Sequence, residues 1–564
     1  MTKDPKIAYF SMEIGIKSEI PTYSGGLGVL AGDTLRTAAD LKIPMVGITL
    51  LSKKGYFKQR LDDKGRQIEE PVIWNPSEHM TLLPAIITLN IEGRDVKIQA
   101  WQYNIKSLTG GCVPIFFLDS DIEGNIPEDR EITSYLYGGT LEYRLKQEIV
   151  LGIGGVRMLH ELGFEIKKYH MNEGHSSLLT LELLNKFKRP IEGVWDERLV
   201  WDIDKVKDLC VFTTHTPVEA GHDKFPYEIV LKILGEPVPI KILKELGGEE
   251  HLNMTLLALN LSEFINGVAK KHSEVSRNLF PGYEINAITN GVHSYTWTCD
   301  SFKKLYDKYL PGWANEPELF VRVDRIPKKE IWEMHLEAKK GLLDFVKEKT
   351  GIEMDLDILT IGFARRATAY KRADLIFSDV KRLEKIGTNK IQIIFAGKAH
   401  PKDEMGKKLI EKIFLIKELL KDKIKIVYLE NYDMEIALKM VSGVDIWLNT
   451  PLRPLEASGT SGMKAAHNGV INFSVLDGWW IEGHIEGFTG WSIGPLPTEL
   501  TTESNSDKID AEDLYNKLEN IIIPMFYNNR LEWISIMQNA IGKNAYYFNS
   551  HRMMRRYITD AYIR

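Results

Sequence analysis

Cysteine is scarce in this chain of 564 residues. Its three cysteines, Cys112, Cys210 and Cys299, are scattered and show no CxxC spacing, so neither a disulfide framework nor a zinc ribbon is expected. No stretch approaches the roughly 18 uninterrupted apolar residues of a membrane span. The first residues also lack the basic stretch and the longer apolar core of a secretory signal. The cytoplasm is therefore the simplest expected compartment.

An excess of charge of either sign is missing as well. The 72 basic and 78 acidic residues nearly balance, with a net charge of -6. Such a chain has no general attraction to nucleic acid or to an anionic membrane, so neither is an expected partner, and any bound anion must be held by a local cluster. The sequence contains no HExxH element and no compact His/Cys set, so no metal site is expected.

Short apolar runs alternate with longer amphipathic runs, which is typical of α/β proteins. In the first half, segments 6–14 and 43–51 are predicted strands that flank a glycine-rich turn and a helix (29–41). In the second half, further apolar runs are predicted to be buried parallel strands. These runs are 358–364, 391–397, 424–430 and 444–450.

Two α/β domains are expected because 564 residues exceed what one core accommodates. The predicted first domain is 1–295 and the second is 296–525, both doubly wound and Rossmann-like. Residues 526–564 are predicted to form a helical tail, with packing against the first domain as one option. The less regular stretch 290–328, which is rich in proline, is interpreted as the interdomain connection. Two such domains imply a cleft faced by the carboxyl ends of both sheets.

A lysine lies just inside a predicted helix that follows the strand at 444–450. Small residues before it, among them Gly459, Thr460 and Gly462, expose backbone N–H groups and let an anion approach the positive end of the helix. If that anion is the phosphate of pyridoxal phosphate, Lys464 can bind the cofactor covalently. An isolated lysine after such a loop would instead be an ordinary solvated residue.

The segment EASGTSGMK (456–464) resembles the cofactor segment of the α-glucan phosphorylases, the family of glycogen, maltodextrin and starch phosphorylases. NG and LDG elements that follow extend the match, and the resemblance runs from FSMEIGI (10–16) to about residue 480. Family members commonly read EASGTGNMK. Ser461 and Gly462 depart from that pattern, as they do in the shorter microbial members.

The resemblance implies a fold of the GT-B glycosyltransferase type and a pyridoxal 5'-phosphate cofactor bound by Lys464. It implies reversible phosphorolysis, in which an α-1,4-glucan and orthophosphate give α-D-glucose 1-phosphate with retention of configuration. In that chemistry the cofactor works through its phosphate, which supports proton transfer to the departing glycosidic oxygen. The implied contacts of the cofactor besides the lysine are Thr460, Ser461, Gly462, Arg365 and Gly26.

Basic residues follow the predicted strand 358–364. Arg366 and Lys371 stand five positions apart, where a loop entering a helix can turn both toward the cleft, and a guanidinium fork with a point charge suits a phosphate. An exposed basic turn is an equally weighted alternative. The resemblance implies that Arg366 and Lys371 bind the substrate phosphate, that Arg365 lies beside the cofactor phosphate, and that Tyr370 lies near the sugar.

The glycine-rich turn YSGGLG (23–28) lies between a strand and a helix, where backbone amides can bind phosphate. It does not fit GxGxxG with an acidic residue after the second strand, so dinucleotide binding is poorly supported. The resemblance implies that Gly25 and Gly26 contact the substrate, with the amide of Gly26 on its phosphate.

Two histidines, His175 and His215, follow predicted strands. Histidines at strand ends commonly tie loop backbones together, which is the structural alternative here. The resemblance implies that both line a glucosyl pocket, with His215 at the sugar 6-hydroxyl and counted among the catalytic residues with Lys464, Arg366 and Lys371. The further sugar contacts that it implies are Asn290, Glu456, Ser458 and Gly459.

A nucleotide-sugar glucosyltransferase, such as a glycogen or starch synthase, is the main alternative, because it shares the two domains, the GGLG turn and an Arg/Lys pair. Many such enzymes carry two glutamates separated by seven residues, the second of which binds the nucleotide ribose. Here Glu456 has the first position and Lys464 the second, and a lysine is a poor acceptor for ribose hydroxyls. A silent sugar-binding protein and a pyridoxal-phosphate aminotransferase are less favoured alternatives.

The chain starts close to KIAYFSMEIGI, where the larger animal members carry an N-terminal extension for phosphorylation and nucleotide control, so those controls are expected to be absent. Family members are often dimers, and a homo-oligomer remains open. The preferred glucan, its chain length and any other effector are not readable from the sequence.

Overall fold

The computed structural model describes residues 6–190, 197–497 and 503–563 and divides the chain into two compact units. The first unit comprises Met1–Phe57, Pro71–Ile288 and Met553–Arg564, and the second comprises Lys58–Glu70 and Thr289–Arg552. Of the segment inspected for a secretory signal, residues 1–5 lie outside the described part of the chain. Each unit is built on one large sheet with helices on its faces, so the predicted α/β class is confirmed.

The sheet of the first unit has nine strands within the described residues. Seven neighbouring strands run parallel, and the last two, Arg94–Lys106 and Thr81–Ile91, are antiparallel. The order reverses beside the first strand, Ile7–Phe10, which lies between Met45–Leu50 and Lys168–Asn172. Across the sheet the strands are Asn286–Ala287, Phe264–Gly267, Cys210–Thr213, Lys168–Asn172, Ile7–Phe10, Met45–Leu50, Cys112–Asp119, Arg94–Lys106 and Thr81–Ile91.

Both faces of this sheet are buried because side chains alternate along each strand. Ala8 and Phe10 face one apolar cluster, whereas Ile7 and Tyr9 face another, to which the C-terminal helix adds Met553. A short hairpin, Lys224–Pro226 with His251–Asn253, also belongs to this unit. Its α-helices are Gly26–Asp40, Pro127–Arg130, Leu141–Ile149, Gly155–Glu161, Leu179–Lys186, Ile203–Leu209, Tyr227–Ile233, Ile240–Gly247, Met254–Asn260 and Lys270–Leu279.

The second unit has a six-stranded parallel sheet in the part of the chain that is described. Across the sheet the strands are Lys425–Leu429, Ile391–Ala396, Leu359–Ala364, Ile446–Asn449, Ile471–Val475 and Gly490–Ile493. In chain order this is 3-2-1-4-5-6, the arrangement of a dinucleotide-type doubly wound sheet. The four strands predicted for this half are confirmed within a few residues at each end.

The helices of the second unit cover both faces of that sheet. The long helix Lys328–Thr350 ends at Gly351, whose φ of 71° lies in the left-handed region where glycine is favoured. The hairpin Lys58–Leu61 with Gln67–Glu70 also packs within this unit. The α-helices that begin in it are Ser294–Trp297, Asp300–Tyr309, Lys328–Thr350, Val380–Gly387, Glu404–Leu420, Met434–Gly443, Thr460–His467, Trp480–Gly483, Glu503–Lys517, Ile523–Asn528, Arg530–Asn539 and Ser550–Tyr557.

The remaining helical pieces are short. The π-helical turns are Val150–Gly154, Leu518–Ile522, Ala540–Ala545 and Ile558–Tyr562. The 3-10 turns are Pro76–Glu78, Gly174–Ser176, Glu197–Val200, Glu219–Gly221, Pro317–Arg325, Ala369–Lys371 and Leu375–Phe377. None of the described helices combines the length and the apolar character needed to cross a membrane.

The stretch 290–328 is not an interdomain connection, and that interpretation was wrong. It forms the helix Asp300–Tyr309 and the 3-10 helix Pro317–Arg325, and most of its large apolar side chains lie in the core of the second unit. Two of its prolines mark helix starts: Pro317 opens the 3-10 helix, and Pro327 precedes the helix Lys328–Thr350. Pro311 instead follows the end of the helix Asp300–Tyr309.

The two units also differ from the predicted domains in their bounds. The second unit begins at Thr289 rather than at 296, and it includes Lys58–Glu70, whose short polar strands give a weak sequence signal. Of the predicted tail, 526–552 belongs to the second unit and Met553–Arg564 to the first. These bounds depend on apolar contacts between residues that are far apart in sequence. A local sequence pattern therefore does not reveal them.

Candidate active site

Several residues proposed from the sequence lie beside the points where the strand order of each sheet reverses, whereas His215 follows the next strand along, Cys210–Thr213. In the first unit, loops follow the carboxyl ends of Ile7–Phe10 and Lys168–Asn172. In the second unit, loops follow Leu359–Ala364 and Ile446–Asn449. Such reversal points leave a crevice at the carboxyl edge of an open α/β sheet, where ligands bind.

In the first unit, a buried carboxylate organises the glycine-rich turn. Glu13 accepts hydrogen bonds from the backbone N–H of Ser24 at 2.5 Å and of Gly25 at 3.2 Å, and from the Tyr137 hydroxyl at 2.9 Å. Gly25 is predicted to contact the substrate, and its own amide already has an acceptor in Glu13. Gly26 begins the helix Gly26–Asp40, and a Cβ added to it would meet no atom within 4 Å. The space beside Gly26 is open.

A second carboxylate, Glu173, holds the loop of His215. It accepts from the backbone N–H of His215 at 2.8 Å and from the Thr216 hydroxyl at 2.9 Å. Glu173 itself has a φ of 77°, an uncommon conformation for a residue with a Cβ, which these hydrogen bonds help to maintain.

His215 is a neutral hydrogen-bond donor through Nε2. Because the Asn172 amide nitrogen donates to the Ser11 hydroxyl at 3.1 Å, the Asn172 oxygen is the acceptor for His215 Nε2 at 2.6 Å. Burial, assisted by neighbouring histidines, lowers the pKa of His215 to about 3. The imidazole is thus uncharged near neutral pH and cannot serve there as a general acid.

His175 lies among charged groups of the first unit. Its Nε2 is 3.5 Å from an oxygen of Asp223, which also accepts from Arg144 at 3.0 Å. Burial and the Arg144 cation lower the pKa of His175 to about 3. Its Nδ1 is buried and has no hydrogen-bond partner within the described chain. A ligand hydroxyl would satisfy that nitrogen.

In the second unit, two cations meet on one carboxylate. Arg365 Nη1 lies 2.5 Å and Lys371 Nζ 2.7 Å from the same oxygen of Glu456, Oε2. Burial by itself would raise the pKa of Glu456, but the two cations outweigh it and hold the pKa at about 2. Glu456 is therefore ionised and only 7% exposed.

Arg365, and not its neighbour Arg366, contacts Glu456 together with Lys371. The backbone N–H of Arg365 donates to Ala396 at 3.2 Å, which continues the strand pairing, so adjacent side chains leave on opposite sides. Arg366 is accordingly exposed. The structure brings Lys371, Arg365 and Glu456 together but does not bring Arg366 onto the same carboxylate.

The turn that carries Lys371 is anchored by its neighbours. Lys371 Nζ lies 4.4 Å from the ring centroid of Tyr370, and Arg372 follows with a left-handed φ of 47°. Arg372 donates to the backbone oxygens of Thr450 at 2.9 Å and Pro451 at 3.0 Å. These bonds attach the turn to the loop after a neighbouring strand.

Lys464 lies on the buried helix Thr460–His467, which follows Gly459 at a left-handed φ of 84°. The side chain of Lys464 is 7% exposed, and its Nζ lies 3.8 Å from the ring centroid of Trp297. Ser461 accepts a hydrogen bond from the Trp447 indole at 3.1 Å, which leaves its own O–H free to donate elsewhere. The N-terminal turn of this helix thus combines backbone amides, a hydroxyl and an amine.

The LDG element supports the loop that carries Glu456, a role that sequence reasoning missed. Asp477 accepts from the backbone N–H of Glu456 at 2.8 Å, and the N–H of Trp479 donates to Ser458 at 2.8 Å. Gly478 between them has a φ of 53°, and a Cβ there would lie 2.4 Å from the Ser458 oxygen. The element was visible in the sequence, but its partner is about twenty residues away.

Gly478→Ala is expected to lower stability and to disturb the Glu456 loop. The backbone collision adds to the left-handed strain, so the total exceeds the roughly 1 kcal/mol of strain alone. Gly487→Ala is the matched control, because Gly487 has a φ of 67° but an added Cβ would meet nothing within 4 Å. Melting temperatures of both variants test this. Equal decreases in melting temperature would mean that the close approach of Gly478 to the Ser458 oxygen does not contribute to the loss of stability.

Two further predicted sugar contacts in the second unit carry buried, unsatisfied atoms. Asn290 Oδ1 and Ser458 Oγ have no hydrogen-bond partner among the described residues. The backbone oxygen of Asn290 accepts from Arg552 at 2.9 Å, which holds its position. Unpaired buried polar atoms cost roughly 1–3 kcal/mol each, so a ligand that supplies hydroxyls is favoured here.

The predicted residues are divided between the units. Gly25, Gly26, His175 and His215 belong to the first, and the others belong to the second. No group of three or more His, Cys, Asp or Glu that could hold a metal ion occurs within the described ranges.

Comparison with known proteins gives a consistent result. Residues 239–487 match the family model described as carbohydrate phosphorylase. The chain is 44% identical to the maltodextrin phosphorylase of Thermococcus litoralis, over 99% of this chain and 70% of that protein. It is 38% identical to the glycogen phosphorylase of Aquifex aeolicus, over 99% and 86% of the two chains. It is also 35% identical to the glycogen phosphorylase of Mycobacterium tuberculosis, over 99% and 70%.

Proposed function

We infer the function from one premise: this chain belongs to the carbohydrate phosphorylase family. It is an α-glucan phosphorylase, a glycosyltransferase of the short microbial type. We propose that it splits the terminal α-1,4 bond of a glucan with orthophosphate and releases α-D-glucose 1-phosphate with retained configuration. Two α/β units with parallel sheets are what the GT-B fold of this family requires.

The cluster of Arg365, Lys371 and Glu456 supports the proposal most directly. Arg365 and Lys371 converge on Glu456 at the carboxyl edge of the second sheet, where the strand order reverses. Such a pair of buried cations suits an oxyanion. The segment that supplies Glu456 continues directly into the helix of Lys464, so phosphate-binding and cofactor-binding groups share one loop.

The residues around Lys464 fit pyridoxal phosphate. A buried primary amine, the left-handed Gly459, and the hydroxyls of Thr460 and Ser461 at the helix start suit an aldehyde that carries a phosphate. We propose that Lys464 binds the cofactor and that Thr460, Ser461 and the amide of Gly462 hold its phosphate. When bound, the cofactor supplies a second phosphate group beside the substrate phosphate, able to give and take a proton.

The side chains of the chain itself position the reactants. The described carboxylate and imidazole of the site are poor acids at neutral pH, since Glu456 has a pKa of about 2 and His215 of about 3. We propose that the proton for the departing glycosidic oxygen comes from the bound orthophosphate. Lys371 and Arg365 stabilise the charge that remains on the phosphate, and we propose that the exposed Arg366 joins them when substrate is present.

The sugar contacts are proposed from buried atoms that lack partners. His175 Nδ1, Asn290 Oδ1 and Ser458 Oγ can each be satisfied by a hydroxyl-rich ligand. His215 is proposed at the 6-hydroxyl and Glu456 at the 3-hydroxyl. Contacts proposed through smaller groups or beside the phosphate are Gly25, Gly26, Gly459 and Tyr370.

The glucan itself is proposed as a class. The relatives are named for maltodextrin and for glycogen, so maltodextrin, glycogen and starch are all substrates to test. We propose a cytoplasmic enzyme that needs neither a nucleic acid nor a membrane and that is active as a monomer or a homo-oligomer.

The proposed reaction has a direct test. Maltodextrin incubated with the protein, pyridoxal phosphate and orthophosphate is expected to release glucose 1-phosphate, measured by enzymatic coupling, with the α-anomer identified by NMR. ADP-glucose incubated with maltodextrin is expected to give no chain extension. Transfer from ADP-glucose without release of glucose 1-phosphate would establish the glucosyltransferase alternative instead.

A further inference from the structure

The cations proposed to hold phosphate already have an anionic partner in the protein. Both contacts of Glu456 use the same oxygen, Oε2, at 2.5 Å from Arg365 and 2.7 Å from Lys371. An orthophosphate oxygen that contacts Lys371 Nζ would occupy the volume beside Oε2. Two anions at such a distance repel each other strongly in a buried site. Glu456 and orthophosphate therefore compete for the same cations.

A second carboxylate, that of Asp477, binds the backbone of Glu456. Asp477 is buried and accepts from the backbone N–H of Glu456 at 2.8 Å and from that of Gly478 at 2.9 Å. Its hydrogen bonds thus hold the main chain of Glu456 and leave the Glu456 side chain to its ion pairs with Arg365 and Lys371. Glu456 and Lys371 are the charged groups that act on Asp477.

We propose that the Glu456 carboxylate is the internal occupant of the anion site and that Asp477 is its positioning residue. In the absence of orthophosphate, Glu456 keeps Arg365 and Lys371 in place. When orthophosphate binds, it displaces Glu456 from Lys371, and the released carboxylate accepts a sugar hydroxyl. This inference rests on the proposed phosphorolysis and adds a coupling between its two substrates.

The exchange predicts that orthophosphate and glucan assist each other. A glucan that engages Glu456 frees the cations, and orthophosphate that takes the cations frees Glu456. Such coupling is reciprocal, so each ligand must raise the affinity of the other by the same factor, typically about 5-fold or more. Removing the charge of Glu456 abolishes the competition and with it the coupling.

Calorimetric titration of the full chain, loaded with pyridoxal phosphate, tests the inference. Glu456→Gln keeps the shape of the side chain and removes its charge, so orthophosphate alone is expected to bind about 5-fold or more tightly than to the parent protein. Maltodextrin is expected to raise orthophosphate affinity in the parent and to leave it unchanged in the variant. Orthophosphate binding to Glu456→Gln that is equal or weaker would overturn the inference.

Glu384→Gln controls for net charge. Glu384 makes an exposed pair with Lys423 at 2.9 Å, far from the cluster in sequence, and its loss changes the charge by the same amount. Its orthophosphate affinity is expected to match that of the parent. An equal gain in both variants would trace the effect to overall charge and would sink the inference.

Asp477 provides an independent readout through pH. Burial, with the Glu456 charge, raises the pKa of Asp477 to about 7. Above that pH Asp477 is negative, so sulfate, which does not titrate near neutrality, is expected to bind the parent more weakly at pH 8 than at pH 6. Asp477→Asn keeps an acceptor for the Glu456 N–H and is expected to remove most of this dependence, whereas Asp477→Ala loses the acceptor and is expected to weaken maltodextrin binding.

These outcomes separate the inference from the function on which it rests. If no glucose 1-phosphate is formed while Glu456→Gln still binds orthophosphate more tightly, the proposed reaction fails and the internal occupant stands. If glucose 1-phosphate is formed but neither Glu456→Gln nor Asp477→Asn changes anion binding, the inference fails alone.

Discussion

Lys464→Ala is expected to abolish the release of glucose 1-phosphate and the covalent attachment of pyridoxal phosphate. Lys464 is the amine proposed to bind the cofactor, it is buried on the helix Thr460–His467, and alanine has no group that can replace it. That attachment would place the cofactor phosphate, and a 1 Å error in such placement can cost about 100-fold in rate. Coupled assays with maltodextrin and orthophosphate measure the loss.

Borohydride reduction of the parent protein gives the chemical half of this test. The reduced pyridoxal phosphate adduct is expected on the peptide that contains Lys464, as located by mass spectrometry. The near-ultraviolet absorbance of the bound cofactor is expected to be absent from Lys464→Ala. Lys464→Arg keeps a cation beside Trp297 but lacks a primary amine, so it should fail in the same way. Lys304→Ala, at an exposed lysine near Glu337, should retain both activity and adduct. An adduct on any other lysine would falsify the assignment.

Much of the fold could be predicted because buried parallel strands are short continuous apolar runs. Leu359–Ala364, Ile391–Ala396 and Ile446–Asn449 lie within the predicted runs, since all their residues are buried. The hairpin of Lys58–Leu61 and Gln67–Glu70 could not be predicted, because it is polar and its burial depends on distant backbone partners such as Gly397. The stretch 290–328 was interpreted wrongly because proline is common both in linkers and at helix starts.

In the candidate site, too, local sequence features could be predicted and contacts between distant residues could not. Lys464 and its loop could be proposed because the segment 456–464 is contiguous and resembles the cofactor segment of one family. The contact of Arg365 with Glu456 was not predicted, because a shift of one residue at a strand end moves a side chain to the opposite face. Asp477 and Glu13 were within recognised segments, but their roles depend on backbone N–H groups elsewhere in the chain.

Lys339→Met is expected to destabilise the second unit by about 3–5 kcal/mol, because it leaves a buried carboxylate without its cation. Lys339 Nζ donates to Asp445 at 2.6 Å, and both side chains are fully buried. Asp445 also accepts from His335 at 2.8 Å and from the Thr360 backbone at 2.7 Å. This cluster joins the helix Lys328–Thr350 to the sheet. Urea unfolding followed by tryptophan fluorescence measures the loss.

The adjacent lysine provides the control. Lys340 pairs with Asp344 at 2.5 Å on the exposed face of the same helix, where such pairs contribute about 0–1 kcal/mol. Lys340→Met makes the same substitution one residue away and should change the urea midpoint little. Comparable losses in the two variants would mean that helix propensity or solubility, rather than the buried charge, determines the result.

The pH dependence of the Lys339→Met defect has a definite sign. In the parent, burial opposes ionisation of Asp445, but Lys339 and His335 hold its pKa below the ordinary value. That contribution to stability is therefore present above the ordinary pKa of an aspartate and lost as the pH falls through the lowered one. Without Lys339, burial dominates, the pKa of Asp445 rises, and protonation at low pH relieves the buried charge. The difference in unfolding free energy between parent and variant should thus be larger at pH 8 than at pH 5, and a difference that grows on acidification would contradict this account of the cluster.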